Sequence, residues 1–232
     1  MSTISGRLTA IRERIDAAAR SAGRDPSSVR LIAVSKTFDV DHIRAAADAG
    51  QLDFGENKVQ EALQKMAGTA DLLIRWHLVG HLQSNKARKA GAHFDAIHSV
   101  DDAALVSALD AAALGAGRRP ELLVQVDLAG EPTKHGVREE ALGAVFDLAP
   151  ACRAARVVGL MLLPPMVGSP DEARGYFRAL GAVRQRLLAR GVEASMLSEL
   201  SMGMSHDFEV AIEEGATMVR VGTAIFGGRT SV

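Results

Sequence analysis

Two hydrophobic periods take turns along the chain. Ile4, Leu8, Ile11, Ile15 and Ala18 or Ala19 fall three and four positions apart, which gathers them on one face of an opening helix. Gly23, Asp25 and Pro26 end that helix. The next segment, Val29-Arg30-Leu31-Ile32-Ala33-Val34, is a short apolar run of the kind buried in a parallel sheet. From there the patterns alternate. Further strands are predicted at 52–54, 76–79, 96–98, 122–126, 157–162, 196–198 and 218–221, and helices at 39–49, 56–67, 84–90, 101–114, 138–149, 171–190 and 206–214.

Repeated βα units imply a parallel sheet with right-handed crossovers. Eight of them in 232 residues predict an α/β fold, a single (β/α)8 TIM barrel with an additional N-terminal helix. An open doubly wound sheet is the alternative. No linker, low-complexity run or break in composition divides the chain, so residues 1–232 read as one domain.

Composition narrows function by exclusion. Hydrophobic residues make up 47%, charged residues 24%, and the net charge is −1, an ordinary globular balance. No basic excess marks a nucleic-acid partner. The single cysteine, Cys152, excludes an internal disulfide framework and a cysteine-rich metal site, and fits a reducing compartment. Charges at Arg7, Arg12, Glu13 and Arg14 break the apolar stretch a signal peptide needs. No window approaches the roughly 18 apolar residues of a membrane-spanning helix. The expected location is cytoplasmic, with no membrane partner.

In such a barrel the chemistry sits at the C-terminal ends of the strands. Ser35-Lys36-Thr37 follows the first strand. Lys36 reads either as a surface lysine snorkelling to water or as a partly desolvated amine that attacks aldehydes. The other lysines, 58, 65, 86, 89 and 134, fall on predicted helices or loops, which makes Lys36 the candidate for a Schiff base. Gly222-Thr223 follows the last strand, where barrels often hold phosphate and where glycine lets backbone N–H groups approach an anion. A plain C-terminal turn explains the same pair. Before it, Ser205 reads as an N-cap for the next helix, with Asp207 and Glu209 in its first turn, which leaves Ser201 and Gly203 to suit the other side of a phosphate. Glu56 and Asn57 follow the second strand, where they also fit a helix start. His77, His81 and His98 lie near strand exits, but their spacing is not a recognised ligand pattern and no metal is expected.

Seven segments together carry a resemblance: AVSKT (33–37), DFGENKVQEAL (53–63), WHLVGHLQSNKAR (76–88), QVDLAGEPTKHG (125–136), GLM (159–161), LSMGMSHDFEVAIEEG (200–215) and VRVGTAIFGGR (219–229). In order and spacing they resemble the YggS/PROSC family of pyridoxal phosphate homeostasis proteins, similar in fold to the N-terminal barrel of bacterial alanine racemase. The resemblance implies pyridoxal 5′-phosphate (PLP) held as a Schiff base on Lys36. It implies Asn57 near the ring, Ser201 with backbone N–H groups around Gly222 and Thr223 on the phosphate, and Arg220 at the pyridine nitrogen. Met202, Gly203 and Ser205 would belong to the surrounding loop. The sequence departs from the family pattern at His81, often proline, and at Asp127, usually asparagine.

The resemblance also implies a role in vitamin B6 supply, with apo PLP-dependent enzymes as possible recipients. An arginine at the pyridine nitrogen makes the ring a weaker electron sink than a carboxylate partner does. Two-base racemisation needs a second acid/base group across the substrate from the lysine. In alanine racemase a tyrosine from the partner subunit's extra C-terminal domain serves. Here the chain ends at Val232 after the last barrel unit, and the only tyrosine, Tyr176, falls on a predicted outer helix. His77, His81 or Lys134 are the possible substitutes. The expectation is a PLP-binding protein without robust turnover and with no catalytic residue, a PLP-dependent amino-acid racemase of narrow specificity being the alternative. A phosphate-binding barrel without PLP is a third reading. A monomer is expected, with a weak dimer as the alternative.

Overall fold

The structure is a computed structural model that describes residues 3–130 and 135–228. Helix α1 (Ile4–Ser21) opens the chain, capped by the Thr3 hydroxyl, which accepts from the Gly6 N–H at 3.1 Å. It buries Leu8, Ile11, Ile15, Ala18 and Ala19, the face its spacing predicted. The strands are β1 (Arg30–Val34), β2 (Asp53–Glu56), β3 (Arg75–Leu78), β4 (Ala96–Val100), β5 (Glu121–Gln125), β6 (Arg156–Met161), β7 (Glu199–Ser201) and β8 (Met218–Val221). Between and after them run α2 (Val40–Asp48), α3 (Val59–Gly68), α4 (Ala87–His93), α5 (Ala103–Ala116), α6 (Leu142–Leu148), α7 (Pro170–Ala189), α8 (Phe208–Glu213) and α9 (Thr223–Phe226). All pairings are parallel, and β8 closes on β1 with Ile32 opposite Arg220. The fold is the (β/α)8 barrel with an N-terminal helix that the alternation predicted.

Two corrections concern elements. Residues 196–198 are not the strand: Ala194–Leu197 form a 3-10 turn, and β7 starts at Glu199. Pairing begins there because β7 meets β6 at Gly159, where a Cβ would stand 1.9 Å from the Glu199 carbonyl oxygen. The helix predicted at 138–149 is α6 flanked by 3-10 turns at Glu139–Ala141 and Ala149–Ala151.

Alternation along the strands builds two cores. The larger lies between strands and helices, with Phe54, Phe94, Phe177 and Phe208 fully buried. The smaller fills part of the barrel interior with Ile32, Val34, Val79, Leu123, Val158, Met161 and Met218. The remaining buried interior is polar and includes Asp53, His77, His98, Ser201 and Arg220. Among the described residues no helix is long and apolar enough to cross a membrane.

Candidate functional site

A cavity of about 410 Å³ opens at the C-terminal ends of the strands, within the size range of small-molecule sites. Its lining comes from nearly every side of the barrel: Val34, Lys36, Thr37 and Phe38 after β1, Asn57 after β2, Val79, Gly80 and His81 after β3, and Leu163 after β6. Met204, Ser205 and His206 come from the segment after β7, and Arg220, Gly222, Thr223 and Gly227 from β8 and beyond. Of the residues singled out in the sequence, Lys36, Asn57, Arg220, Gly222 and Thr223 meet here. Ser201 does not line the cavity.

Lys36 is half-buried and held by its neighbours on both sides. The Ser35 hydroxyl donates to Glu56 Oε1 at 2.7 Å, and the Ser35 carbonyl accepts from Lys65 Nζ at 2.9 Å. Thr37 donates its N–H to Glu61 Oε1 at 2.7 Å and has φ 71°, the left-handed region a β-branched residue rarely enters. Lys65, buried on α3, ties these groups together by ion pairs to Glu56 at 2.6 Å and Glu61 at 2.7 Å. Burial pushes the Glu56 carboxyl up, partly offset by Lys65 and Ser35. Burial also raises Glu61, but Lys65 and the Thr37 N–H outweigh it and hold that carboxyl below the usual range. The sequence showed Lys65 only as one lysine on a helix, and Glu56 only as a helix start. The one signal available was that Glu61 and Lys65 are four residues apart on that helix.

Ser201 sits in a different structure. Its hydroxyl accepts from Arg220 at 2.6 Å and lies 2.8 Å from His98 Nδ1. His98 Nε2 is 2.9 Å from His77 Nδ1, His77 Nε2 is 2.8 Å from Asp53 Oδ1, and Arg75 donates to Asp53 Oδ2 at 2.8 Å. One proton arrangement satisfies every link: Ser201 donates to His98, His98 to His77, and His77 to Asp53, each ring accepting at its other nitrogen. Arg220 also donates to the Leu162 carbonyl at 2.8 Å. Burial brings Arg220 down to about 10, against the pull of Asp207, so it stays a cation at neutral pH. Burial, then His77 and Arg220, hold His98 well below the ordinary histidine range. Burial raises Asp53, but His77 and Arg75 outweigh it and keep the carboxyl below its usual range. Ser201 therefore positions Arg220 from within the barrel.

The serine that does line the cavity is Ser205, whose hydroxyl accepts from the Gly222 N–H at 3.3 Å. It is not the N-cap of α8; Asp207 holds that position, and its carboxylate accepts from the Met204 N–H at 2.6 Å. Gly203, at φ 91°, turns the chain where a Cβ would stand 2.6 Å from Ala211 Cβ. Gly222 passes close over β1, where a Cβ would lie 3.0 Å from the Val34 carbonyl oxygen. These approaches bring Ser205 and the Gly222-Thr223 backbone to one wall. Met202, at the start of the same segment after β7, is buried in the outer core.

His77 is buried in the polar chain and Tyr176 is half-buried on α7, and neither lines the cavity, whereas His81 does. Lys134 and Arg229 lie outside the described residues. Asp127 accepts from the Ala129 and Gly130 N–H groups at 3.1 and 2.9 Å, a local turn that asparagine forms equally well.

Residues 7–230 match the family model of the alanine racemase N-terminal domain, which defines the class of barrel to which the chain is assigned. The pyridoxal phosphate homeostasis protein of Aquifex aeolicus is 41% identical over 223 residues, covering 96% of this chain and 97% of that protein. The protein of the same name from Pseudomonas aeruginosa is 43% identical over 230 residues, covering 99% and 97%. The chain belongs to the family of pyridoxal phosphate homeostasis proteins. PipY of Synechococcus elongatus, solved with PLP bound, is 42% identical with a TM-score of 0.86, over 97% of this chain and all of that one. Alanine racemase of Clostridium difficile shares the fold at 13% identity and a TM-score of 0.68, over 94% of this chain and 56% of that one.

Proposed function

We propose that the chain holds PLP as a Schiff base on Lys36 and serves intracellular PLP homeostasis as a binding protein without robust turnover. The observation that carries this reading is the meeting, in one cavity, of a lysine at the exit of β1 with Ser205 and the Gly222-Thr223 backbone at the exits of β7 and β8. The donor chemistry fits the cofactor. Lys36 offers the amine for an aldehyde, and Ser205 with the backbone around Gly222-Thr223 offers neutral donors for a phosphate. Asn57 lines the same cavity and would flank the ring. Arg220 is held by Ser201 and the Leu162 carbonyl and would take the pyridine nitrogen. Bound PLP supplies an electrophilic aldehyde and an electron-withdrawing ring.

Arg220 fits the carrier reading and does not exclude the racemase alternative. A guanidinium that stays charged donates a hydrogen bond without giving up its proton, which leaves the ring a weak electron sink. The cytoplasm and apo PLP-dependent enzymes as recipients belong to the same proposal. One observation favours the alternative, a PLP-dependent amino-acid racemase of narrow specificity: His81 lines the cavity and offers a second acid/base group. Borohydride reduction of the purified protein followed by peptide mapping tests the attachment, with a pyridoxyl adduct expected on Lys36; an adduct on another lysine contradicts it. Incubation with a panel of L-amino acids in deuterated water tests the role. Slow α-proton exchange throughout is expected, and rapid exchange with any one amino acid makes the protein a racemase.

A further inference from the structure

Beside the cavity lies a second cluster to which the cofactor reading gives no role. His81 after β3, Asp101 directly after β4 and His135 after β5 bring one ligand atom each to within 4.8 Å of one another. The His81 and His135 rings lie face to face, with centroids 3.4 Å apart and planes 6° from parallel. His81 Nδ1 is 3.6 Å from Asp101 Oδ2. The neighbouring Asp102 is used differently: its carboxylate caps α5 by accepting from the Leu105 N–H at 2.6 Å. All three residues line a second cavity, of about 570 Å³, and His81 lines the first cavity as well.

We propose that His81, Asp101 and His135 form a binding site for a divalent transition-metal ion of the zinc type. Two imidazole nitrogens and one carboxylate oxygen are the donor set such ions take, whereas magnesium and calcium favour all-oxygen sites. Bonds of about 2.0–2.2 Å around a tetrahedral ion place its donors about 3.4 Å apart. The donors therefore need to close by at most about 1.4 Å. A ring nitrogen binds metal in the plane of its ring, so the two imidazoles must unstack as the ion enters. Both histidines are exposed and have room to turn, while Asp101, directly after β4, is half-buried. Three protein ligands leave a coordination position open. The ion joins the segments after three successive strands and, through His81, sits in the wall of the cofactor cavity. None of these residues is among those proposed to hold PLP, so the metal site stands or falls independently of the cofactor.

Calorimetric titration of the untagged protein with zinc chloride, and separately with magnesium chloride, tests the site. One zinc ion per chain and no magnesium are expected. His81→Ala, Asp101→Asn and His135→Ala should each weaken zinc binding by about tenfold or more. Lys36→Ala, and His93→Ala at the end of α4, should leave it unchanged. Melting curves followed by circular dichroism verify that each variant is folded. Cobalt(II) should give the intense visible bands of a four- or five-coordinate ion in the wild type, and these should be lost in His135→Ala. Zinc affinity no greater than that of the triple variant, or a cobalt spectrum like that of the free aqueous ion, overturns the proposal.

Discussion

At the scale of single residues, the site depends on which atoms hold Lys36 and which serine reaches the cavity. Ser35, Thr37, Glu56, Glu61 and Lys65 hold the backbone on either side of Lys36. Lys36 itself was legible because a lysine directly after an apolar strand stands out at a barrel mouth. The place of Ser205 in the cavity wall was not. Ser205 satisfied the rule for a helix N-cap and was accounted for by it, while Asp207 holds the cap position in the structure. Ser201 ends β7 and points into the barrel interior, where it bonds Arg220 and His98. The two serines should therefore fail differently. Ser205→Ala should weaken PLP binding by about tenfold or more, from the loss of a hydrogen bond to a charged group, with unfolding in urea little changed. Ser201→Ala leaves two buried partners short of a bond and should cost about 1–3 kcal/mol in urea unfolding. Fluorescence titration with PLP and equilibrium denaturation separate the two effects.

At the scale of elements, most boundaries were legible because the strands are short apolar runs and the helices carry a three-four spacing. The start of β7 was not legible. Met196 and Leu197 are apolar and read as strand, but strand pairing needs the backbone approach that Gly159 permits three residues into β6. Nothing in the local sequence near 196 reports a glycine that far away. Gly159→Ala would drive a Cβ into the Glu199 carbonyl and should destabilise the barrel by about 3 kcal/mol, at the upper end of overpacking costs. A lower melting temperature with unchanged helix content after refolding is the expected readout. An unchanged melting temperature would mean that β6 and β7 part without cost.

At the scale of the whole molecule, eight alternating units sufficed to predict closure, because a count of strands survives errors at their ends. The chain from Arg75 through Asp53, His77, His98 and Ser201 to Arg220 could not be read this way, since its members come from β2, β3, β4, β7 and β8 and meet only when the barrel closes. It has a consequence for pH. Native His98 is held neutral, while in the unfolded chain it takes up a proton near its ordinary value of about 6.5. Below that value the unfolded state binds more protons, so the contribution of His98 to stability falls as pH drops. Urea unfolding at pH 7.5 and 5.5 should show the wild type losing stability on acidification. His98→Asn should lose less, having no proton to take up; an equal loss would mean that His98 is charged in the folded protein.

Whether Lys36 carries the cofactor is tested most directly by the visible absorbance spectrum of the PLP-loaded protein beside that of Lys36→Ala. The wild type should show the band of a protonated Schiff base, and Lys36→Ala, folded and given the same PLP, should lose it and bind PLP more weakly. A band that persists in Lys36→Ala at unchanged affinity would contradict the account.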